Sequence, residues 1–326
     1  MLTTVACLLY AQERYTVKIL LIGAGVTGCF TAACLGHKGV DIAVLARGSK
    51  AVRLERDGLR MRDGITGETT TVPLKIVRSP VPDKFDAAMV CVQAHDQRSC
   101  IPLLSELPGR PIVWFLGNNT VGYDLAIEQL GRDRVLGGFP GVGGTWEGDV
   151  LVYADRLKLD DKPFNRLILG EAHPDAAEAA DAIQRYLQTV TMHIERYAPI
   201  MAWHWSHIAT ILPLAGALYH SGQNLGSMVD DRALLKSAVR ATAQGLAIIR
   251  KAGYPILPRS LNIFRWIPAA LMARKVASLL QSDFGRIALA GHATTARDEM
   301  RSLALSLLNL AGDNPGADLR NLLSVI

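Results

Sequence analysis

The stretch from Val17 to Arg47, which reads VKILLIGAGVTGCFTAACLGHKGVDIAVLAR, constrains the fold of this chain more than any other. Its apolar run 17–22 predicts a strand buried on both faces, and its small-residue segment 26–37 predicts a helix. A second apolar run, 42–46, predicts another strand. This order of strand, turn, helix and strand is the context in which a glycine-rich turn indicates a dinucleotide site.

The turn between the first strand and the helix carries the pattern G-x-G-x-x-G at Gly23, Gly25 and Gly28. The first glycine permits a tight turn, the second lets a pyrophosphate approach the backbone, and the third lets the helix pack against the strand. The N–H groups and the dipole at the helix start then attract phosphate. The residues predicted to bind a dinucleotide are Gly23, Ala24, Gly25, Val26, Thr27 and Gly28.

The residue at the end of the second strand indicates which dinucleotide is bound. Sites for NAD usually place an Asp or Glu there, about 20 residues past the glycines, to bind the ribose 2′-hydroxyl. This chain instead has Arg47, followed by Gly48, Ser49 and Lys50, and no acid. Because a guanidinium forms bidentate, charge-assisted contacts with a 2′-phosphate, we expect NADP(H) rather than NAD(H). A solvated surface arginine is the alternative.

Composition limits the class of protein. The chain has 326 residues, of which 49% are hydrophobic and 20% charged, as expected for a folded enzyme of two domains and not for a disordered chain. The net charge of +5 comes from scattered basic residues. A phosphate-bearing cofactor explains them better than nucleic acid does, so no nucleic-acid partner is expected.

The remaining compositional signals indicate a cytoplasmic protein without a metal or a membrane partner. The five cysteines are odd in number and lack C-x-x-C spacing, which favours reduced thiols. The run Ile208–Tyr219 is too short to span a bilayer. Met1–Ala11 is apolar but lacks a basic region, so it is interpreted as an extension or an early start codon rather than a secretory signal. His95 and His292 have no partners at metal-ligand spacing.

The pattern along the chain predicts an α/β fold, a Rossmann-type doubly wound sheet followed by an all-helical C-terminal domain. Strands and helical segments alternate up to about residue 195, and helical patterns dominate afterwards. We therefore predict an NADP-binding domain at 1–195 and a helical substrate or catalytic domain at 196–326. Within the first domain, Thr69–Val77 is predicted as one strand and Asp149–Gly170 as antiparallel strand pairs.

Ligands in such sheets bind outside the carboxyl ends of the strands. Five segments follow predicted strands and are therefore predicted to line one crevice. They are Gly23–Gly28, Arg47, Gln93–His95, Gly117–Asn119 and Gly143–Gly144.

The assembled pattern resembles the ketopantoate reductase (2-dehydropantoate 2-reductase) family. The matching features are the GAGVTG turn, Arg47, the turn Val92-Gln93-Ala94, the asparagine turn at Asn118, and a helical C-terminal domain entered through a Trp-rich segment. The resemblance implies NADPH as cofactor and reduction of a 2-oxo acid, a small-molecule carbonyl compound, to a 2-hydroxy acid. The oligomeric state is left open, with a homodimer among the options.

On the cofactor side, the resemblance carries over onto four positions. Asn118 matches an asparagine that contacts the cofactor and lies close to the reacting carbonyl, which makes it a catalytic candidate as well. Gly143, or its neighbour Gly144, matches a backbone contact. Gln93 stands where the family often has a lysine, so it donates a hydrogen bond without a charge. Glu299 matches a cofactor-side glutamate.

The catalytic side departs from the family. The family's general acid is a lysine near the start of the long helix, and His207 stands at that position. The asparagines that follow become Ile211 and Ala215, which cannot hydrogen-bond a substrate hydroxyl, so a more apolar carbonyl or imine than ketopantoate is expected. Asn224 and Ser278 match substrate-binding positions. His207 is either the proton donor, worth about 10²- to 10⁴-fold, or a packed helix residue.

Three functions remain open at this point. The first is an NADPH-dependent reductase with an altered substrate pocket. The second is a protein of the same fold that binds NADP without turnover and acts as a sensor or partner. The third is a related dehydrogenase acting on a 3-hydroxy acid or an amine, which would need another acid–base group such as Lys236, Lys251 or Lys275.

Overall fold

The computed structural model describes residues 17–79, 83–154, 167–190, 192–282, 285–290 and 296–326, with only the backbone described at 288–290. The predicted N-terminal extension, Met1–Ala11, lies outside these residues. The chain divides into two units, Met1–Ile200 and Met201–Ile326.

The first unit contains two sheets. Its strands are β1 (Lys18–Ile22), β2 (Asp41–Leu45), β3 (Leu59–Asp63), β4 (Thr69–Val72), β5 (Lys75–Val77), β6 (Ala87–Val90), β7 (Ile112–Leu116), β8 (Val135–Pro140), β9 (Gly143–Glu147), β10 (Val150–Ala154), β11 (Leu167–Glu171) and β12 (Ile194–Arg196). The large sheet has the order β12-β11-β8-β7-β6-β1-β2-β5, and the small sheet has the order β4-β3-β10-β9.

The centre of the large sheet is parallel and apolar. β1 pairs in parallel with β2 on one side and with β6 on the other, so that Ile22 lies opposite both Leu45 and Val90. All residues of β6 and β7 are buried, as expected for strands covered on both faces. The strand order reverses direction on either side of β1, which confirms the doubly wound α/β class. In this class of fold, ligands bind outside the carboxyl ends of the strands at such a reversal, which here is the carboxyl end of β1.

Helices of the first unit connect and cover the strands. They are α1 (Val26–His37), α2 (Gly48–Asp57), α3 (Ile101–Glu106), α4 (Asp124–Leu130) and α5 (Ala177–Thr189), with 3-10 turns at Ala94–Cys100 and Pro174–Ala176. One face of the large sheet packs against α1 and α5 through a continuous buried cluster that includes Leu21, Leu35, Val44, Trp114 and Ile183.

The small sheet packs against α1 and α2. Its core includes Phe30, Leu54, Met61 and Leu151, and the rings of Phe30 and Tyr153 lie 5.0 Å apart. This packing brings the hairpin of β9 and β10 beside the first turns of both helices.

Two strand predictions are corrected by the sheets. The run Thr69–Val77 is two strands in different sheets, because Pro73 interrupts it and lacks an N–H to donate. Of the stretch Asp149–Gly170, residues 155–166 lie outside the described part. The two described strands also separate: β10 pairs antiparallel with β9 and parallel with β3, whereas β11 pairs antiparallel with β8.

The described residues of the second unit form helices and no strands. They are α6 (Ile200–His220), α7 (Leu225–Asp230), α8 (Arg232–Lys251), α9 (Ala269–Gln281), α10 (Arg297–Ala311) and α11 (Ala317–Leu323), with a 3-10 turn at Arg259–Arg265 and a π-helical turn at Gly285–Ala290.

α6 forms the centre of the second unit because glycines let its neighbours approach closely. A Cβ on Gly245 of α8 would lie 3.1 Å from the Cβ of Ala209, and a Cβ on Gly216 would lie 2.3 Å from the backbone oxygen of Leu322. In the part of the chain that the structure describes, no helix is long and apolar enough to cross a membrane.

Candidate functional site: a dinucleotide turn and a histidine helix

The three glycines of the turn have different surroundings. Gly23 has a φ of +111°, and a Cβ there would lie 2.4 Å from the backbone oxygen of Cys91. A Cβ on Gly28 would lie 1.9 Å from the backbone oxygen of Gly23. A Cβ on Gly25 would meet no atom of the protein within 4 Å. Gly23 and Gly28 are therefore required by the fold, whereas the absent side chain at Gly25 leaves open space above the turn.

The N-terminus of α1 is left open to an anion. Gly25 is the N-cap and provides no side chain to cap the first turn, and the first turn contains no acidic residue. Burial raises the pKa of the nearby Cys91 thiol to about 12, so that group stays neutral. Backbone N–H groups and the positive end of the helix dipole thus face the space above Gly25, which suits a pyrophosphate.

Alanine substitutions should separate the two roles of these glycines. Gly28→Ala should lower the free energy of unfolding by about 2 kcal/mol or more, because its methyl group collides with the Gly23 carbonyl. Gly25→Ala should leave the stability unchanged within about 0.5 kcal/mol and weaken dinucleotide binding at least about tenfold, because its methyl group occupies the ligand space. Urea unfolding and calorimetric titration measure the two quantities. Equal loss of stability in both variants would contradict this assignment.

Arg47 follows β2 and is the N-cap residue of α2. Its side chain is exposed, and its guanidinium makes no hydrogen bond or ion pair with any residue that the structure describes. Two other arginines of the same helix are engaged, since Arg53 pairs with Asp149 and Arg56 pairs with Asp57. Arg47 is thus a cation beside the open turn that forms no ion pair with any carboxylate of the described residues.

The loops that follow β6 and β7 are linked by Gln97, a side chain that the sequence analysis did not select. Gln97 is buried, donates from Nε2 to the backbone oxygen of Asn118 at 3.1 Å, and accepts from Nδ2 of Asn119 at 3.3 Å. Asn119 Oδ1 in turn accepts from the N–H groups of Val121 and Gly122. These bonds fix the loop that carries Asn118, which is itself only 2% exposed.

Two further predicted cofactor residues lie in the first unit. Gln93 is exposed at the end of the β6 loop, where it precedes the 3-10 turn Ala94–Cys100. Gly143 begins β9, and a Cβ on the adjacent Gly144 would lie 3.2 Å from Cγ1 of Val26 at the start of α1. The structure therefore brings β9 next to the dinucleotide turn.

In the second unit, His207 lies on the first half of α6 and is partly exposed. Its ring stacks on Trp203, one turn earlier, with 4.9 Å between ring centroids and 12° between planes. Ile211, one turn after His207, is also partly exposed, and Ala215, one turn further on, is buried. The stacking fixes the orientation of the His207 ring and leaves part of it accessible.

His204 has a different environment from His207. It is fully buried, which indicates a structural role. Burial, with a smaller contribution from His207, lowers the pKa of His204 to about 3. The ring is therefore neutral at physiological pH and forms part of the core.

This burial predicts an acid-dependent loss of stability. Between the ordinary pKa of 6.5 and the folded value of about 3, the unfolded chain binds a proton that the folded protein excludes. The contribution of neutral His204 to the free energy of unfolding is complete above pH 6.5. About 2 kcal/mol of it should be lost at pH 5. Urea unfolding above pH 6.5 and at pH 5 measures this loss of free energy. The wild type should lose more than His204→Gln, and the control His220→Gln, which changes an exposed histidine, should lose as much as the wild type. Identical pH dependence in wild type and His204→Gln would refute it.

The other predicted residues of the second unit lie on separate helices. Asn224 is exposed and caps α7, with its Oδ1 accepting from the N–H of Ser227 at 2.9 Å. Ser278 is exposed near the end of α9. Glu299 is 4% exposed in the first turn of α10. Among the described residues, no group of three or more His, Cys, Asp or Glu side chains could hold a metal ion.

Residues 19–159 match the family model described as ketopantoate reductase PanE/ApbA. Over these residues the chain is similar to the ketopantoate reductase family. The match includes the glycine turn, Arg47, Asn118 and β9, and it confirms the resemblance drawn from the sequence. It supports a ketopantoate reductase-type oxidoreductase that uses a nicotinamide cofactor.

Relatives and solved structures agree with a ketopantoate reductase fold over most of the chain. The uncharacterized oxidoreductase YkpB of Bacillus subtilis (strain 168) is 21% identical over 243 residues, which are 74% of this chain and 77% of YkpB. The structure of 2-dehydropantoate 2-reductase from Geobacter metallireducens GS-15 is similar, with a TM-score of 0.71 and 16% identity over 95% of this chain and 98% of that one.

A further similar structure is D-mandelate dehydrogenase with NADH and anilino(oxo)acetate. It has a TM-score of 0.73 and 13% identity over 95% of this chain and 97% of that one. At these identities the two structures establish the shared ketopantoate reductase fold alone.

Proposed function

We propose that this protein is an NADPH-dependent reductase that converts a 2-oxo acid, or a related carbonyl compound, to the hydroxy compound. The observation that carries the proposal is the pairing of the open glycine turn with Arg47. The turn offers uncapped N–H groups for a pyrophosphate, and Arg47 at the end of β2 offers a cation that forms no ion pair among the described residues. Both features are those required for a dinucleotide that bears an additional phosphate.

The choice of NADPH rests on residues of this chain. D-mandelate dehydrogenase is described with NADH, so the fold alone does not decide between the two cofactors. Here the segment after β2 reads Arg47-Gly48-Ser49-Lys50 and provides no carboxylate for a ribose 2′-hydroxyl. The guanidinium of Arg47 favours a 2′-phosphate instead. Further cofactor contacts are assigned to Gln93, Gly143 and Glu299.

The chemistry requires a hydride and a proton. Bound NADPH supplies the hydride to the carbonyl carbon. The proposal assigns the side-chain amide of Asn118 to orient the carbonyl, with the backbone of Asn118 held by the hydrogen bond from Gln97. It assigns His207 to donate a proton to the oxygen as it becomes an alkoxide. The stacking of His207 on Trp203 supports this role, because a fixed ring donates without first having to be ordered.

The substrate is proposed to be a 2-oxo acid with an apolar substituent. Ile211 and Ala215 follow His207 at one-turn intervals on α6 and offer no hydrogen bond to a hydroxyl group. Ser278 and Asn224 are assigned to the carboxylate and the polar end of the substrate. The anilino(oxo)acetate of D-mandelate dehydrogenase is a 2-oxo acid with an aromatic substituent, and it supports this substrate class.

The test is NADPH consumption, followed at 340 nm, with a panel of 2-oxo acids, ketones and imines. Turnover should be fastest with 2-oxo acids carrying aliphatic or aromatic substituents and slower with hydroxylated ones. Turnover only with 3-oxo acids or imines would reject the proposed substrate in favour of the related dehydrogenase. Tight binding of NADPH without turnover of any compound would show a binding protein and reject the reductase.

A further inference from the structure

The segment 261–267 of the second unit, which reads LNIFRWI, is apolar and yet accessible to solvent. Five of its seven residues are apolar, and none of the seven is buried. Trp266 is 75% exposed, a larger fraction than that of any other large apolar side chain that the structure describes. Single exposed apolar residues are ordinary on a protein surface, whereas a contiguous group of them indicates a site of interaction.

Two of these side chains lie on the same side of the chain, and a third exposed one follows on α9. The N–H of Trp266 donates to the backbone oxygen of Ile263 at 3.0 Å, which is the hydrogen bond of a 3-10 turn. Side chains three positions apart in such a turn are eclipsed, so Ile263 and Trp266 point the same way. Leu271 is exposed in the first turn of α9, and the buried residues of that helix are Met272, Ala273 and Leu280.

Four cations accompany these apolar side chains: Arg259, Arg265, Arg274 and Lys275. All four are exposed, and none forms an ion pair with a carboxylate of the described residues. The guanidinium of Arg265 lies 5.1 Å from the centroid of the Trp266 ring. Arg274 and Lys275 follow Leu271 by three and four positions, which puts them on the same side of α9. We call the four cations and the three apolar side chains together the Trp266 surface.

A partner that covers the Trp266 surface has to be both apolar and negatively charged. An isologous dimer, in which the same patch meets itself, would bring the four cations against their own copies. A bilayer with anionic lipids meets both requirements, because its headgroups attract Lys and Arg while Trp, Ile and Leu enter the boundary with the acyl chains. Such lipids repel carboxylates, and positions 232–282 contain no Asp or Glu.

We propose that the Trp266 surface binds the protein to the face of an anionic lipid bilayer, with Trp266 at the level of the headgroups. The expectation of no membrane partner rested on the lack of a segment that spans a bilayer, and a surface contact needs no such segment. None of these residues has a role in the proposed reductase, so either proposal can fail without the other.

Cosedimentation of the full chain with lipid vesicles tests the proposal. One set of vesicles contains phosphatidylcholine alone, and the other contains equal parts of phosphatidylcholine and phosphatidylglycerol. The protein should bind the anionic vesicles at least about tenfold more strongly. The difference should disappear at about 1 M salt, where charges are screened beyond about 3 Å.

Variants of exposed residues assign this binding to the Trp266 surface. Trp266→Ala should weaken binding to the anionic vesicles at least about tenfold, because it removes the largest apolar side chain of the surface. Arg265→Gln should weaken it about fivefold. The controls Leu305→Ala and Arg301→Gln change an exposed apolar residue and an exposed cation one turn apart on α10, and they should bind as the wild type does.

Tryptophan fluorescence places Trp266 in the lipid. Anionic vesicles should shift the emission of the wild type to shorter wavelength and protect it from quenching by iodide. Trp266→Phe should lose both effects and still bind, because phenylalanine retains an apolar ring.

The proposal is overturned if the wild type binds neither kind of vesicle, or if Trp266→Ala and Arg265→Gln bind as the wild type does. A dimer that Trp266→Ala dissociates, in a protein that binds no vesicle, would assign the surface to a second copy and reject the lipid contact. Binding of poly-glutamate but of no vesicle would assign it to an acidic protein and reject the lipid contact as well.

Discussion

Arg47→Ala is expected to weaken NADPH binding about 100-fold, or ~2.7 kcal/mol, and to change NADH binding less than about threefold. The physical reason is that a guanidinium and a 2′-phosphate form charge-assisted hydrogen bonds, and NADH lacks that phosphate. The side chain is exposed and makes no ion pair with the described residues, so its loss should leave the fold intact. Titration calorimetry with both dinucleotides gives the two affinities.

Two variants control this experiment. Arg47→Lys keeps the charge but loses the bidentate geometry and should fall between the wild type and Arg47→Ala. Arg185→Ala removes one exposed charge elsewhere in the first unit and should bind both cofactors as the wild type does. If Arg47→Ala weakened NADPH and NADH equally, Arg47 would not be the determinant of cofactor choice.

His207→Ala should lower kcat about 10²- to 10³-fold, with the affinity for NADPH unchanged within about twofold. The reason is that the alkoxide would have to take its proton from water rather than from a positioned acid. A histidine acting as acid also makes kcat fall as pH rises through its pKa, so the variant should lose that limb of the pH profile. Steady-state rates across pH, with a substrate from the panel, measure both effects.

Matched variants separate catalysis from packing. His207→Phe preserves a ring that can stack on Trp203 but supplies no proton, so it should be as slow as His207→Ala. His220→Ala removes an exposed histidine from the end of the same helix and should be as fast as the wild type. A fully active His207→Phe would mean that His207 serves only as a packed residue.

The sequence was sufficient to predict the part of the fold whose signals lie close together along the chain. In 17–47 each signal is local: an apolar run, glycines at fixed spacing and a second apolar run. The structure shows β1, α1 and β2 there, and the parallel pairing puts Arg47 at the same edge as Gly23. The ketopantoate reductase resemblance followed in part from these same residues, and the family match confirms it.

The small sheet could not be predicted because its pairings join distant segments. β10 pairs with β3 about ninety positions earlier. Pro73 separates β4 from β5, but no local pattern assigns these two strands to different sheets. The contact between Lys50 and Trp146 depends on that pairing, since β9 carries the tryptophan. Gln97 was missed for a related reason, because its role arises only where two loops meet.

The catalytic residues of the helical unit remain predictions. His207 was selected from a family position, and the structure adds its stacking on Trp203. Asn224 caps α7, which a sequence match alone could not show. Side chains on separate helices acquire a common function only through tertiary packing, so their roles need the kinetic tests above.

Calorimetric titration of NADPH and NADH into the unaltered protein tests the central claim most directly. The arrangement of an uncapped turn and an unneutralised arginine predicts measurable heat with both, and an affinity for NADPH at least about tenfold higher. Equal affinities would contradict the role of Arg47, and absence of heat with either dinucleotide would contradict the proposed function as a whole.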